Sequence, residues 1–151
     1  MLIRAEKQFE KRLKQACFPQ HKTLDEFDIA DQQSLSTVQL KQLRELIWLE
    51  NIYNLILLGP PGVGKTFLAV GLGIDAVKQG YKVTFIQMDN LIHLLKTQEI
   101  ARSSNSKIKQ IINSDLVIID DLMFMAMEKA DANLFFQLIN KLYGQTSIII
   151  T

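Results

Sequence analysis

Cysteine is nearly absent, and the single Cys17 leaves no internal disulfide and no zinc site of several thiolates, a usage that suits a reducing cytoplasm. Proline and glycine are scarce at three and seven residues, which excludes collagen-like and Pro/Gly-rich low-complexity chains. Long hydrophobic runs are missing too. Stretches such as Leu55 to Leu58 and Leu116 to Ile119 fall far short of the roughly 20 residues that cross a bilayer. Charges from Arg4 onward interrupt the N-terminus, so no secretory signal and no membrane segment are expected, and a cytoplasmic location is. Nor is there an excess of one charge. Seventeen Lys and Arg stand against sixteen Asp and Glu, so a globally basic nucleic-acid coat is excluded and any basic surface must be local. What is present, 151 residues of which 48% are hydrophobic and 22% charged, suffices for one domain with a proper core.

The charge is unevenly spread. Residues 1–22 hold six Lys or Arg and two Glu, while the rest of the chain is net acidic. Leu2, Phe9, Leu13 and Ala16 recur there at helical spacing, and Arg4, Lys7, Lys11 and Lys14 fall on the opposite face. This predicts a basic amphipathic helix that ends at Phe18-Pro19. Residues 23–35 read as a linker or a short helical turn. Ser36 and Gln39 form a capping-box pattern ahead of a helix carrying Leu40, Leu43 and Ile47. From Tyr53 short apolar runs alternate with helical segments, as in a parallel sheet with crossover helices. Strands are expected at 53–58, 82–87, 115–119 and 147–151, and helices at 65–79, 89–101, 105–113 and 128–143, two of them stopped by Gly80 and Gly144. Ser103 to Ser106 reads as a solvated loop. The organisation is thus an N-terminal basic segment with linker, 1–35, followed by an α/β core, 36–151.

Residues 59–66, Gly59-Pro60-Pro61-Gly62-Val63-Gly64-Lys65-Thr66, fit the phosphate-binding pattern G-x-x-x-x-G-K-[ST], directly after an apolar strand and at the start of a helix. Glycines at 59, 62 and 64 let backbone N–H groups turn toward phosphate oxygens, and the helix N-terminus adds its unpaired donors. Lys65 brings a point charge to the outer phosphates, and the Thr66 hydroxyl suits a magnesium ion. About 55 residues later Leu116 to Ile119 ends in Asp120-Asp121, the Walker B arrangement. Asp120 is expected to hold the metal and Asp121 to polarise an attacking water as general base.

With these motifs the chain resembles the AAA+ family, and within it the IstB-type helper ATPases of insertion-sequence transposition, relatives of the DnaC-type helicase loaders. The resemblance runs through Phe18 to Asp28, Leu57 to Thr66, Leu72 to Phe85, Leu116 to Asp121 and Leu134 to Tyr143. It implies a three-layer P-loop fold, ATP with Mg²⁺ as cofactor, a homo-oligomer, double-stranded DNA bound without sequence preference, and a transposase or a replicative helicase as partner. Two departures accompany it. The family's second Walker B carboxylate is usually Glu, one methylene longer than Asp121, and a base misplaced by about 1 Å can lose a hundredfold in rate. The family's fourth strand also leads on to a polar sensor, an arginine finger and a fifth strand in the order 5-1-4-3-2, whereas this sequence stops at Thr151. Weak hydrolysis and a P-loop strand at the sheet edge are the corresponding expectations.

His21 and His93 have no partner cluster for a metal and read as packing or solvent groups. Met123, Met125 and Met127 suit either a contact surface or core filling. Trp48 reads as core. Further basic residues, Lys96, Arg102, Lys107 and Lys109, offer a second surface for DNA should the N-terminal stripe be only a solvated face. Other readings of the whole stay open: a helicase loader, a non-catalytic remnant, and a small-molecule P-loop kinase, the last disfavoured by four scattered arginines.

Overall fold

The computed structural model describes residues 2–26, 35–59, 64–122 and 127–151. Four parallel strands form one sheet in the order β1-β4-β3-β2: β1 (Leu55–Ile56), β2 (Val83–Gln87), β3 (Leu116–Asp120) and β4 (Ser147–Ile150). Seven helices flank it among the described residues: α1 (Leu2–Ala16), α2 (Thr37–Arg44), α3 (Ile47–Glu50), α4 (Lys65–Lys78), α5 (Met88–Thr97), α6 (Arg102–Ile112) and α7 (Lys129–Leu142). The three layers follow from the pleat. Alternate strand residues face opposite sides, so Leu116, Ile118, Val83, Phe85 and Ile149 join the core under α1 to α4. Val117, Ile119, Ile86 and Ile148 join the core under α5, α6 and α7. With both faces covered, β3 is buried from end to end, which is why its sequence is a continuous apolar run rather than an alternation.

Several boundaries differ from the sequence expectation for local reasons. Strand β1 is only two residues long, because at its start the Asn54 side chain takes the place of backbone, its Oδ1 accepting the Ile148 N–H at 2.9 Å. The helix after Ser36 has the expected reciprocal capping box with Gln39, yet it breaks in two at Leu46. That residue is fully buried at φ +60°. Ser103 to Ser106 is helix rather than loop: α5 stops at Thr97, whose hydroxyl bonds His93 O at 2.8 Å and Ser104 Oγ at 2.7 Å, and α6 restarts at Arg102. Helix α1 ends at Ala16, and Cys17 at φ +60° turns the chain before Phe18.

Helix α4 carries the residues that follow the P-loop, and the N-terminal segment lies along it in antiparallel fashion. A Cβ added at Gly71 would meet Leu24, one at Gly73 would sit 2.7 Å from the Phe18 ring, and one at Gly80 would be 3.5 Å from the Arg12 guanidinium. Arg44 clasps the same helix, donating from Nε (2.9 Å) and Nη2 (3.2 Å) to buried Asp75, while its Nη1 reaches Asp25 at 3.0 Å. Trp48 is core, as its sequence position suggested, and its indole N–H donates to Leu43 O at 2.9 Å. No helix among the described residues is long and apolar enough to cross a membrane.

Candidate nucleotide site

The C-terminal ends of β1 and β3 lie on the same rim of the sheet, with β4 between them. In open α/β sheets this rim is where ligands bind. Leaving β1, the chain passes Gly59, then Pro60, Pro61, Gly62 and Val63, which lie outside the described residues, and re-enters at Gly64. Gly64 is the N-cap of α4 at φ +90°, a left-handed conformation that glycine adopts without steric cost, so Lys65 and Thr66 open the helix. Lys65 Nζ donates to Gly59 O at 2.6 Å, which closes the two ends of the loop on each other.

Beneath the lysine, Thr66 Oγ1 donates to Asp120 Oδ1 at 2.9 Å across 54 residues of sequence. Asp120 is the last residue of β3 and is 4% exposed. A buried carboxylate demands donors, and it has a second one on the same oxygen: the hydroxyl of Thr151, at the end of β4, also donates to Oδ1. Thr151 further accepts the Asp121 N–H at 3.3 Å, and its carbonyl accepts the Leu122 N–H at 3.2 Å. Thr151 was not singled out from sequence. The signal was there, a hydroxyl closing the apolar run Ile148 to Ile150, but its meaning depends on β4 lying beside β3.

Asp121 departs from the strand at φ +63°, a region that aspartate tolerates better than most residues. Asp121 is exposed at the rim, whereas Asp120 beside it is buried. Partial burial of the carboxyl, followed by the charges of Asp120 and Asp89, raises its pKa above the ordinary carboxylate value, and Lys65 acts against them. The rim therefore gathers Lys65, Thr66, Asp89, Asp120, Asp121 and Thr151. Asp89, in the first turn of α5, is a further group that sequence reading passed over.

The other sequence candidates lie elsewhere. Arg4, Lys7, Lys11 and Lys14 are all exposed on α1, while Phe9, Leu13 and Ala16 pack inward. Met123 and Met125 lie outside the described residues, and Met127 packs against the core under α5 to α7. His21 and His93 are exposed.

Comparison with known proteins gives the family and the fold. A protein of insertion sequence IS21 from Pseudomonas aeruginosa, named for ATP binding, is 38% identical over 148 residues, 98% of this chain and 56% of the relative. An IS21-like protein of Bacteroides fragilis strain YCH46, also named for ATP binding, is 39% identical over 133 residues, covering 88% of this chain and 67% of its own. The chain thus spans little more than half the length of the first of these. Among solved structures, the DnaC helicase loader superposes with a TM-score of 0.63 at 27% identity, over 76% of this chain and 66% of that one. AMPPCP-bound DnaA from Aquifex aeolicus gives a TM-score of 0.69 at 24% identity over 89% and 43%, a likeness of fold alone. The family model described as IstB-like ATP binding protein matches residues 1–151, and the chain belongs to that family.

Proposed function

We propose that this chain binds ATP with Mg²⁺ at the rim between β1 and β3 and serves, as part of an insertion-sequence system, as the ATP-dependent helper of a transposase on double-stranded DNA. The observation that carries the reading is the Thr66 to Asp120 contact beneath Lys65. A hydroxyl and a carboxylate are hard oxygen donors, the set that magnesium prefers, and they stand beside a lysine and a helix N-terminus suited to phosphate. Residues 59–66 would hold the triphosphate, with Thr66 and Asp120 on the metal. Bound there, Mg²⁺ would neutralise phosphate charge. Lys65 draws the outer phosphates, Thr151 keeps Asp120 oriented, and Asp121 accepts a proton from water. Asp121 is shorter than the family's usual Glu and is exposed, so hydrolysis is slow.

Transposition is favoured over helicase loading because the relatives above come from insertion sequences; the likeness to the DnaC loader keeps loading as the second reading. Contact with DNA rests on Arg4, Lys7, Lys11 and Lys14, exposed on one face of α1. Lys and Arg on phosphates position a protein without reading bases. Changing all four to Gln should flatten the dependence of log affinity on log salt by about 3 to 4. Calorimetry with ATP and magnesium tests the nucleotide site: Lys65→Ala should lose most of the affinity, and equal affinity in the variant would defeat the assignment.

A further inference from the structure

At the opposite end of the sheet from Asp120, roughly 15 Å away by the rise of a five-residue strand, a cavity of about 380 Å³ opens between α1, the start of β2 and the end of α6. Eight of its nine lining residues bear polar side chains, Arg12, Gln15, Lys82, Thr84, Ser106, Gln110, Asn113 and Ser114, with Val83 the one apolar member and no carboxylate. The floor is fixed and satisfied. Ser114 Oγ donates to Gln110 O at 2.8 Å, so Thr84, fully buried, must donate to Ser114 across their 2.7 Å contact. Gln110 in turn donates from Nε2 to Gln15 O at 2.8 Å, tying α6 to α1.

The walls are different. The side chains of Arg12, Lys82, Gln15 and Asn113 have no hydrogen-bond or ion-pair partner among the described residues. Two cations and two amides thus converge on a space within the roughly 300 to 1,000 Å³ range of ligand sites. Nearby Asp115 turns its Oδ2 onto the Lys82 backbone N–H at 2.8 Å rather than onto the ammonium.

We infer that this cavity is a second phosphate site and seats a backbone phosphate of duplex DNA beside the α1 stripe, an inference that rests on the DNA reading above. Charge and donors select a phosphate. The lack of any aromatic side chain in the lining argues against a nucleobase, which would need a stacking surface. Continuity selects the backbone over a free ester. At 100° per residue, Arg12 and Gln15 lie on the Arg4 and Lys11 side of the stripe, and Glu6 and Glu10 lie on the other side. A polyanion crossing α1 meets cations all the way into the cavity.

The test is fluorescence anisotropy on random duplex over a salt series, with the whole chain, the double variant Arg12→Gln/Lys82→Gln, the fourfold stripe variant, and Arg12→Lys, each checked for folding by thermal melting. Two lost phosphate contacts should flatten the salt slope by about 2 in the double variant, while Arg12→Lys keeps it. An unchanged slope in the double variant alongside a flattened one in the stripe variant overturns the cavity and leaves the stripe. Failure of the intact chain to bind duplex defeats the DNA reading and the backbone as the source. In that event, perturbation of the Asn113 side-chain amide resonances by inorganic phosphate or AMP reassigns the cavity to a free phosphate ester. No perturbation overturns it as a phosphate site.

Discussion

Replacing Thr151 by valine would remove one hydroxyl and almost no volume, and the consequences can be worked out from the contacts of Asp120. Two hydroxyls, those of Thr66 and Thr151, donate to the same oxygen of a carboxylate that is 4% exposed. If Thr66 turns to magnesium on nucleotide binding, Thr151 is the remaining side-chain donor on that oxygen. Loss of a partner that orients a metal ligand typically costs about 10- to 100-fold in metal affinity. The unliganded protein loses a hydrogen bond to a charged group, worth about 1.5 to 3 kcal/mol, and about 2 to 4 °C of Tm accompanies each kcal/mol in a chain of this size. Calorimetric titration with ATP at several magnesium concentrations separates the effects. Thr151→Val should bind metal-free ATP as the unmodified chain does and lose the magnesium-dependent gain, while Thr151→Ser retains it. Identical magnesium dependence in the valine variant would refute the role of Thr151.

Three more outcomes follow from the geometry. Gly73→Ala sets the helix-propensity gain of about 1 kcal/mol against overpacking of about 1 to 3 kcal/mol. The added Cβ would lie 2.7 Å from Phe18 Cε1 and 2.9 Å from Ile118 Cδ1; a lowered Tm is expected, and a raised one would contradict the packing. Arg44→Ala strands Asp75, and because the arginine side chain is 31% exposed the loss should be about 2 kcal/mol, below the roughly 3 to 5 of a wholly buried pair; chemical denaturation reads it. For Asp121, a raised pKa means the base is lost as pH falls through a value above the ordinary 3.8, so the acid limb of single-turnover ATP cleavage lies above that value. Asp89 adds to the rise, so Asp89→Asn moves the limb lower while the P-loop lysine stays in place; an acid limb at or below the ordinary position would show that burial and Asp120 do not act as described.

The layers of the fold were legible because burial on both faces writes itself into Leu116 to Ile119 of β3 and Ile148 to Ile150 of β4 as unbroken apolar runs, and because Gly80 and Gly144 mark where α4 and α7 stop. What escaped sequence reading depends on partners distant in the chain. Nothing in Leu46 announces a left-handed residue; the break there sits beside Arg44, which is held by Asp25 and Asp75 from two other segments. Asn54 looks like the first residue of a strand until its side chain is seen capping β4. The site divides along the same line. The P-loop and the Asp120-Asp121 pair announce themselves through contiguous letters. Thr151 and Asp89 acquire their places only once the sheet order brings β4 and the start of α5 to the rim.

The antiparallel course of the N-terminal segment along α4 bears on how this protein can be trimmed. Leu24, Phe18 and Arg12 meet α4 and its cap at three glycines, which means that side chains touch bare backbone there. A chain shortened to begin at Ser36 would uncover a strip of main chain and small residues with no side chains of its own to shield it, and would leave Asp75 with Arg44 but Arg44 without Asp25. The side of the helix presenting Lys65 and Thr66 that packs against α1 and Leu24 would then face water, while its sheet side stays covered by β2 and β3. Such a chain is expected to be poorly soluble and to bind nucleotide weakly although every P-loop residue is intact. Mapping the nucleotide site is better done by point substitution within residues 1–151 than by deletion.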